Sequence, residues 1–200
     1  AGILTLALGI GANTAIFTLI NAVMLRPLPV TDAHELVLFR VTGRVPAVAS
    51  YNFTYPLYEM FRDQTQTFSG VIAANNVGRG RLVVIDGVNS GAPESVQQQR
   101  VTGNFFSVLK VAAVKGRTFT EADDNPSNSQ HAAVISYDFW QRRFALDPNI
   151  VGKQVSVNNT PLTIIGVAQP GFFGFDVGAR PELWWPIKAI PDPSLQHTGS

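Results

Sequence analysis

The chain has no cysteine, two methionines and three histidines in 200 residues. Without cysteine there is no disulfide scaffold, thiolate zinc site or cysteine nucleophile. His34, His131 and His197 lie far apart with no H-x-H or H-E-x-x-H spacing, so the common imidazole metal patterns are missing too. No P-loop is present, which closes that route to ATP hydrolysis. No G-x-S-x-G elbow occurs either, because in Gly87-Val88-Asn89-Ser90-Gly91 the serine falls one place late. Charge is scarce: 14% of residues are Asp, Glu, Lys or Arg, against a usual ~25%. The net charge of +1, spread along the chain, leaves no nucleic-acid footprint. No catalytic, cofactor-binding or metal-binding residues are therefore nominated.

The missing charge is missing first from residues 1–25, AGILTLALGIGANTAIFTLINAVML, none of which is charged. At about 1.5 Å per residue, a helix from Ile3 to Leu25 covers roughly the 30 Å of a bilayer's apolar core. About ten large apolar side chains there give roughly −3 to −6 kcal/mol for insertion, opposed by Asn13, Asn21, Thr14 and Thr18. A signal peptide would need a basic start and a better cleavage site than N-A-V-M-L, and a buried soluble helix would keep more of a polar face. The balance favours a spanning helix. Ala7, Gly11 and Ala15 recur every four residues and allow close helix approach, while Asn13 and Asn21 form a neighbouring amide stripe that wants partners in lipid. Chance accounts for such a pattern as well, but packing against further membrane helices is the better reading. Arg26, Pro27, Leu28 and Pro29 end the helix, because each proline lacks the amide donor and disfavours helix in the residue before it.

Past the prolines, residues 35–41 (ELVLFRV) read as a strand. Residues 54–68 read as a helix: Thr54 can cap it, Pro56 suits its first turn, and Leu57, Met60, Phe61 and Phe68 share one face. Residues 71–75 and 81–85 read as strands flanking a turn-like N-N-V-G-R-G, and residues 95–102 as a weaker strand. Residues 132–136 form a strand leading into a short helix capped by Ser136, with Tyr137, Trp140 and Phe144 inward and Asp147-Pro148 as its stop. Residues 154–157 and 162–167 alternate around Asn158-Asn159, a hairpin because asparagine tolerates positive φ. Residues 183–187 are a last strand, placed near an edge by Pro186. The fold class is α+β: one N-terminal transmembrane helix, then a mixed, mostly antiparallel domain of two subdomains.

Two loops invite a functional reading. Glu121, Asp123 and Asp124 suggest calcium, but the sixth-position glycine and twelfth-position glutamate of an EF-hand are missing, so a solvated loop, and a subdomain boundary over residues 121–130, is the better account. Phe172, Phe173 and Phe175, set among glycines ahead of Trp184 and Trp185, are a candidate partner contact. Core filling is the competing and favoured reading for these rings.

The run L-A-L-G-I-G-A-N-T-A-I-F-T-L-I-N-A-V-M-L-R-P-L-P resembles the first transmembrane segment of MacB-like and FtsX-like ABC transporter permeases, particularly the duplicated permeases that lack an ATPase domain of their own. Four further blocks resemble that family's periplasmic core domain: V-T-G-N-F-F-S-V-L-K-V at 101–111, K-G-R-T-F at 115–119, I-S-Y-D-F-W-Q-R-R-F at 135–144 and P-N-I-V-G-K-Q-V-S-V-N-N-T-P-L-T-I-I-G-V at 148–167. Lys110 stands where the family pattern leads one to expect glycine. The resemblance implies a transmembrane helix at 1–25 and a periplasmic core at 26–200, porter-like with a smaller inserted subdomain at roughly 112–168. It implies the bacterial inner membrane, with everything after about residue 26 in the periplasm. It implies as partners a cytoplasmic ATPase subunit that uses the ATP, the remaining helices of the same permease, a second permease or permease half, and a periplasmic partner. In such systems ATPase strokes are carried by the first helix through the R-P-L-P junction to a domain that acts on substrate or partner outside. The alternatives are a regulator of a periplasmic enzyme working by the same strokes without transport, and a membrane-tethered periplasmic hydrolase or binding module.

Overall fold

The computed structural model describes residues 2, 10–11, 13–17, 30, 32–39, 41–42, 49–50, 53–86, 89–125, 131–176 and 178–189. Residues 10–11 and 13–17, which include Gly11, Asn13 and Ala15, are helical and exposed. No helix among the described residues is long and apolar enough to cross a membrane. Ala7, Asn21, Arg26, Pro27, Leu28 and Pro29 lie outside the described residues.

The strands are β1 (Val41–Thr42), β2 (Ala49–Ser50), β3 (Gly78–Asp86), β4 (Asn89–Ser90), β5 (Glu94–Val101), β6 (Ala113–Gly116), β7 (Ala132–Ile135), β8 (Gln154–Val157), β9 (Thr160–Ala168) and β10 (Leu183–Pro186). The helices are α1 (Tyr55–Gln64), α2 (Phe105–Val108) and α3 (Tyr137–Phe144). β1 and β2 pair with each other. Six of the others close a ring: β3 pairs β5, β5 pairs β10, β10 pairs β7, β7 pairs β9, β9 pairs β8, and β8 returns to β3. The β5–β10 and β7–β9 ladders are parallel and the rest of the ring is antiparallel. β6 continues on the C-terminal half of β9, and β4 extends β3 as a hairpin.

Because successive side chains in a strand point to opposite faces, a closed ring sorts its residues into an inside and an outside. One buried cluster draws on all six strands: Leu82, Val96, Ile135, Val155, Val157, Leu162, Ile164, Leu183 and Trp185, with Phe139 and Trp140 of α3 packed on it. A second lies on the outer face of β5, β10, β7 and β9, where Val101, Trp184, Val134 and Ile165 meet Phe105 and Phe106 of α2, with Leu109, Phe119 and Phe172. α3 starts where the sequence places it, the Ser136 side chain accepting from Phe139 N at 3.1 Å. It ends at Phe144, before Asp147-Pro148, because Ala145 and Leu146 turn left-handed with φ of 47° and 58°. The Asn158-Asn159 hairpin forms with both residues at positive φ, 52° and 67°, and Val157 opposite Thr160.

Several expectations are corrected. Residues 33–35 make a 3-10 turn, and residues 36–39 pair with no strand among the described residues, so the strand at 35–41 is absent apart from β1. A continuous apolar run has no period to define a face, and without a neighbour it does not become a strand. α1 ends at Gln64, short of the expected residue 68; its buried residues are Tyr55 and Tyr58, while Met60 and, beyond the helix, Phe68 are exposed. In α3 Phe139, 1% exposed, carries the burial with Trp140, and Tyr137 and Phe144 only lean on the core. Residues 71–75 contribute only the bridge Ala74–Val101. G-R-G is strand and not turn: Gly80 gives room for close approach, since a Cβ there would meet Val157 Cγ1 at 2.9 Å and Gln98 Cγ at 3.1 Å. β10 is internal, between β5 and β7. Pro186 is tolerated because the β7 ladder covers only Leu183 and Trp184 and has ended before it.

Candidate functional site

The first residues beyond the proline junction are anchored to the outer layer of the ring. Val30 packs against the cluster built on Phe105, Phe106 and Trp184. Two residues on, Asp32 accepts from Lys110 Nζ at 2.8 Å, and this contact holds the Asp32 carboxyl below its usual range. Lys110 owes its position to the way α2 ends. Its N–H donates to Ser107 O at 3.1 Å and Val111 N–H donates to Phe106 O at 2.9 Å, the paired bonds of a Schellman terminus, with Val111 and Phe106 in the same apolar cluster. That terminus demands a left-handed residue, and Lys110 sits at φ 55°. Glycine would adopt this at no steric cost; lysine brings instead an ammonium that reaches Asp32.

A second attachment holds α1. Tyr55 Oη donates to Asp124 Oδ2 at 2.8 Å, and Tyr58 Oη to Asn104 Oδ1 at 3.3 Å, while Asn104 Nδ2 reaches Val71 O at 2.9 Å. Burial, then the bond to Asp124, pushes the Tyr55 phenol far up, so it stays a donor. Lys188 Nζ meets Glu59 Oε1 at 2.7 Å and lies 4.4 Å from the centre of the Tyr55 ring, and its backbone N–H donates to Asp124 Oδ1 at 3.0 Å. Asp124 is therefore a tie between α1 and the segment after β10.

Its neighbour Asp123, 4% exposed, is held from four directions. Arg117 donates through Nη1 and Nη2 at 2.6 and 2.7 Å, and Thr120 through its N–H and Oγ1 at 2.8 and 2.9 Å. Burial pushes the Asp123 carboxyl up, but the Arg117 and Thr120 bonds outweigh it and hold it below the usual range. The acidic loop is thus a structural clamp at Asp123 and Asp124, and no group of three or more potential metal ligands exists among the described residues. The His131 ring meets Pro161 O at 3.1 Å, His34 is exposed in the 3-10 turn, and His197 lies outside the described residues.

The aromatic loop divides. Phe172, 4% exposed, points in, its ring 5.3 Å from Trp184 and 5.8 Å from Phe106. Phe175 leans on Phe105 at 5.9 Å, and Phe173, half-buried, lies under Arg180 at 5.6 Å. Beneath the loop, Gln99 donates to Asn75 O at 3.0 Å and to Asp176 Oδ2 at 3.4 Å. Gln99 Oε1 and Trp184 Nε1 are both buried without a hydrogen-bond partner, on residues that face each other across the β5–β10 ladder. Burial raises the Asp176 carboxyl, with Gln99 pulling partly back.

A separate surface is apolar and open. Leu36, Val37 and Leu38 are 39%, 64% and 70% exposed. Beside them Phe39 stacks on Phe61 at 5.3 Å and meets Phe68 edge-on at 5.4 Å, with Phe53 6.3 Å from Phe61. Of the aromatic residues nominated in the sequence, Phe172 is interior and Phe173 and Phe175 are half-buried, whereas sequence reasoning gave no functional role to this open surface or to Val30, Asp32 and Tyr55. The one signal that could have flagged the first attachment is Lys110 at a glycine position.

Comparison with known proteins decides the family. The profile of the MacB-like periplasmic core domain matches residues 3–198. The chain belongs to this family. It is 29% identical over 112 residues to the probable syringafactin export ATP-binding/permease protein SyfD of Pseudomonas syringae pv. tomato, a stretch covering 56% of this chain and 16% of that protein. Its fold resembles the periplasmic region of MacB from Actinobacillus actinomycetemcomitans (TM-score 0.52, 23% identity, 76% of this chain and 64% of that one). It also resembles the extracellular domain of the noncanonic ABC-type transporter YknZ from Gram-positive bacteria (TM-score 0.50, 20% identity, 67% and 62%). The chain thus spans under two thirds of each of these proteins.

Within this MacB-like core the blocks that resemble the family have structural jobs. In V-T-G-N-F-F, Thr102 Oγ1 accepts from Ala73 N at 3.2 Å, Asn104 ties down Val71, and Phe105 and Phe106 fill the outer cluster. Gly103 lets the acidic loop approach, since a Cβ there would meet Thr120 O at 2.5 Å. In K-G-R-T-F, Gly116 turns with φ 63°, Arg117 clamps Asp123 and Phe119 is buried.

Proposed function

We propose that this chain is the first membrane helix (residues 1–25) and the periplasmic core (from residue 26) of an inner-membrane ABC-type permease without an ATPase domain of its own. ATP is used by a separate cytoplasmic subunit, whose strokes move this helix and the remaining helices of the permease, in a dimer of permeases or permease halves. The helix face of Ala7, Gly11 and Ala15, with Asn13 and Asn21, packs on those neighbours, and the Arg26-Pro27-Leu28-Pro29 junction delivers the motion to the periplasmic core, which acts on a substrate or partner there. The chain performs no catalysis itself.

The observation that carries this reading is the anchoring of Val30 on the outer apolar cluster and of Asp32 on Lys110, just after α2. Motion arriving at residue 30 meets packing and an ion pair immediately, and α2 leans through Phe106 on Trp184 of the ring, 5.7 Å between ring centres. A ring closed by ladders on every strand resists internal shear and moves as one body.

Residues 1–200 hold no cysteine, so the only thiol in this stretch is the one introduced. A single Asn76→Cys, at an exposed position, should react with a membrane-impermeant maleimide added to the periplasmic side of intact cells. Reaction only after the cytoplasm is opened would reverse the topology. Reading the gene past Ser200 and finding no three further apolar segments would refute the permease.

A further inference from the structure

Arg79 and Arg81 are two residues apart on β3 and both exposed on the outer face of the ring, since Gly80 and Leu82 between and beyond them are buried. Their cross-strand partners on β5 are Gln97 and Ser95, also exposed. The N–H of a third arginine, Arg180, reaches Gln97 Oε1 at 3.4 Å, and its guanidinium rests over Phe173. The carboxylates nearby are engaged elsewhere: Glu94 accepts from Arg142 and Arg143, and Glu182 from Arg142 and Gln97 N. Arg79, Arg81 and Arg180 have no ion pair among the described residues. A cleft of about 430 Å³ lies beside them, lined by Arg79, Gly80, Arg81, Pro93, Glu94 and Ser95.

We propose that this face of β3 and β5 docks an acidic, extended segment of a partner protein. Arg79 and Arg81 occupy alternate strand positions, whose Cα atoms lie roughly 6.5–7 Å apart, the repeat of alternate residues in an extended chain. Each guanidinium fork suits a carboxylate bidentately. Ser95 and Gln97, their cross-strand partners, add hydrogen-bonding groups beside them, and none of the described residues lining the cleft is a large apolar side chain. The inference uses the outer face of the ring and does not depend on the chain's being part of a transporter.

The test is fluorescence anisotropy of labelled poly-L-glutamate with the full chain at low ionic strength. The wild type should bind, and Arg79→Gln/Arg81→Gln should weaken binding by about tenfold or more, as expected if two charge-assisted contacts together supply about 1.4 kcal/mol. Arg81→Gln alone should weaken binding by about threefold or more, and Lys115→Gln, the same loss of one charge placed on β6 with β8 and β9 intervening, should leave affinity within about twofold. Thermal melts establish that each variant is folded. The proposal fails if the wild type does not bind, or if Lys115→Gln weakens binding as much as the change at Arg81 alone. It also fails if phosphatidylglycerol vesicles are bound through Arg79 and Arg81 while poly-L-glutamate is not, which would make this a membrane-facing surface.

Discussion

Arg117→Met removes the guanidinium fork from Asp123 while keeping most of the aliphatic stem. Asp123 is left 4% exposed in the parent packing, with only the two Thr120 donors of its four. Breaking one side of a buried pair costs roughly 3–5 kcal/mol when both charges are desolvated. Here Arg117 is half in water, its side chain 52% exposed, so about 2–3 kcal/mol is the reasoned loss at neutral pH. In a domain of this size that lowers the melting midpoint by about 4–12 °C. Asp123→Asn should cost less, because the exposed guanidinium is rehydrated once its partner loses charge. Combining the two changes should recover part of the Arg117→Met loss, since no buried charge is then left alone. Urea unfolding followed by the fluorescence of Trp140, Trp184 and Trp185, all buried against the ring, reads each term. The sign with pH is fixed by the Asp123 carboxyl lying below its usual range in the folded state. Its stabilisation is complete above the ordinary carboxyl pKa of about 3.9 and is lost as pH falls through the lower folded-state value. The gap between wild type and Asp123→Asn should therefore close on acidification. Simple additivity of the two single losses at pH 7, or a gap that widens in acid, would refute the clamp.

Lys110→Gly should melt higher than Lys110→Ala: both lose the contact with Asp32, but only alanine keeps a Cβ in the left-handed turn after α2, and equal midpoints in a thermal melt would count against the Schellman strain. Asp176→Asn should be more stable than wild type at pH 7, because the raised carboxyl pKa means the fold prefers the protonated acid and loses stability as pH rises through the window above the ordinary value. The advantage should vanish near pH 3, and a pH-independent difference in urea midpoint would show that burial of Asp176 is not its source.

What was legible in the residues follows from the range of the physics involved. The 154–157 strand, the Asn158-Asn159 turn and the Ser136 cap are set by residues within a few positions of one another, and each stands where local chemistry puts it. The ring is set by ladders such as β5–β10, which pairs residues 98–101 with 183–186, and no local period encodes a partner 85 positions away. Pro186 misled for the same reason: whether its missing N–H matters depends on where β7 stops. The Gly78 and Gly80 pair read as a turn because glycine's conformational freedom is visible in sequence, whereas the close approach of Val157 that requires Gly80 is not. The apolar strip at 36–38 has no neighbouring strand among the described residues, and propensity alone does not supply one.

The attachment points lead to one mechanical consequence. Residues 30 and 32 bear on α2, α1 bears on Asp124, and Asp124 is fixed by its neighbour's clamp to Arg117 and by Lys188 after β10. The segments that follow residue 30 are therefore tied by two attachments beyond the C-terminal end of the parallel β5–β10 pair, one made of apolar packing with the Asp32–Lys110 ion pair and the other of bonds at Tyr55, Asp124 and Lys188. On the proposed mechanism, a displacement of residue 30 along the chain would meet packed rings that cannot yield without opening a cavity. The bonds at Tyr55, Asp124 and Lys188 hold α1 in register with it. Loosening the second attachment, as Arg117→Met should, would free α1 while leaving Val30 on the outer apolar cluster. The two attachments can thus be separated: local exchange of the α1 amides should rise in that variant while the α2 amides stay protected, and equal loosening of both would mean that the core transmits through a single contact.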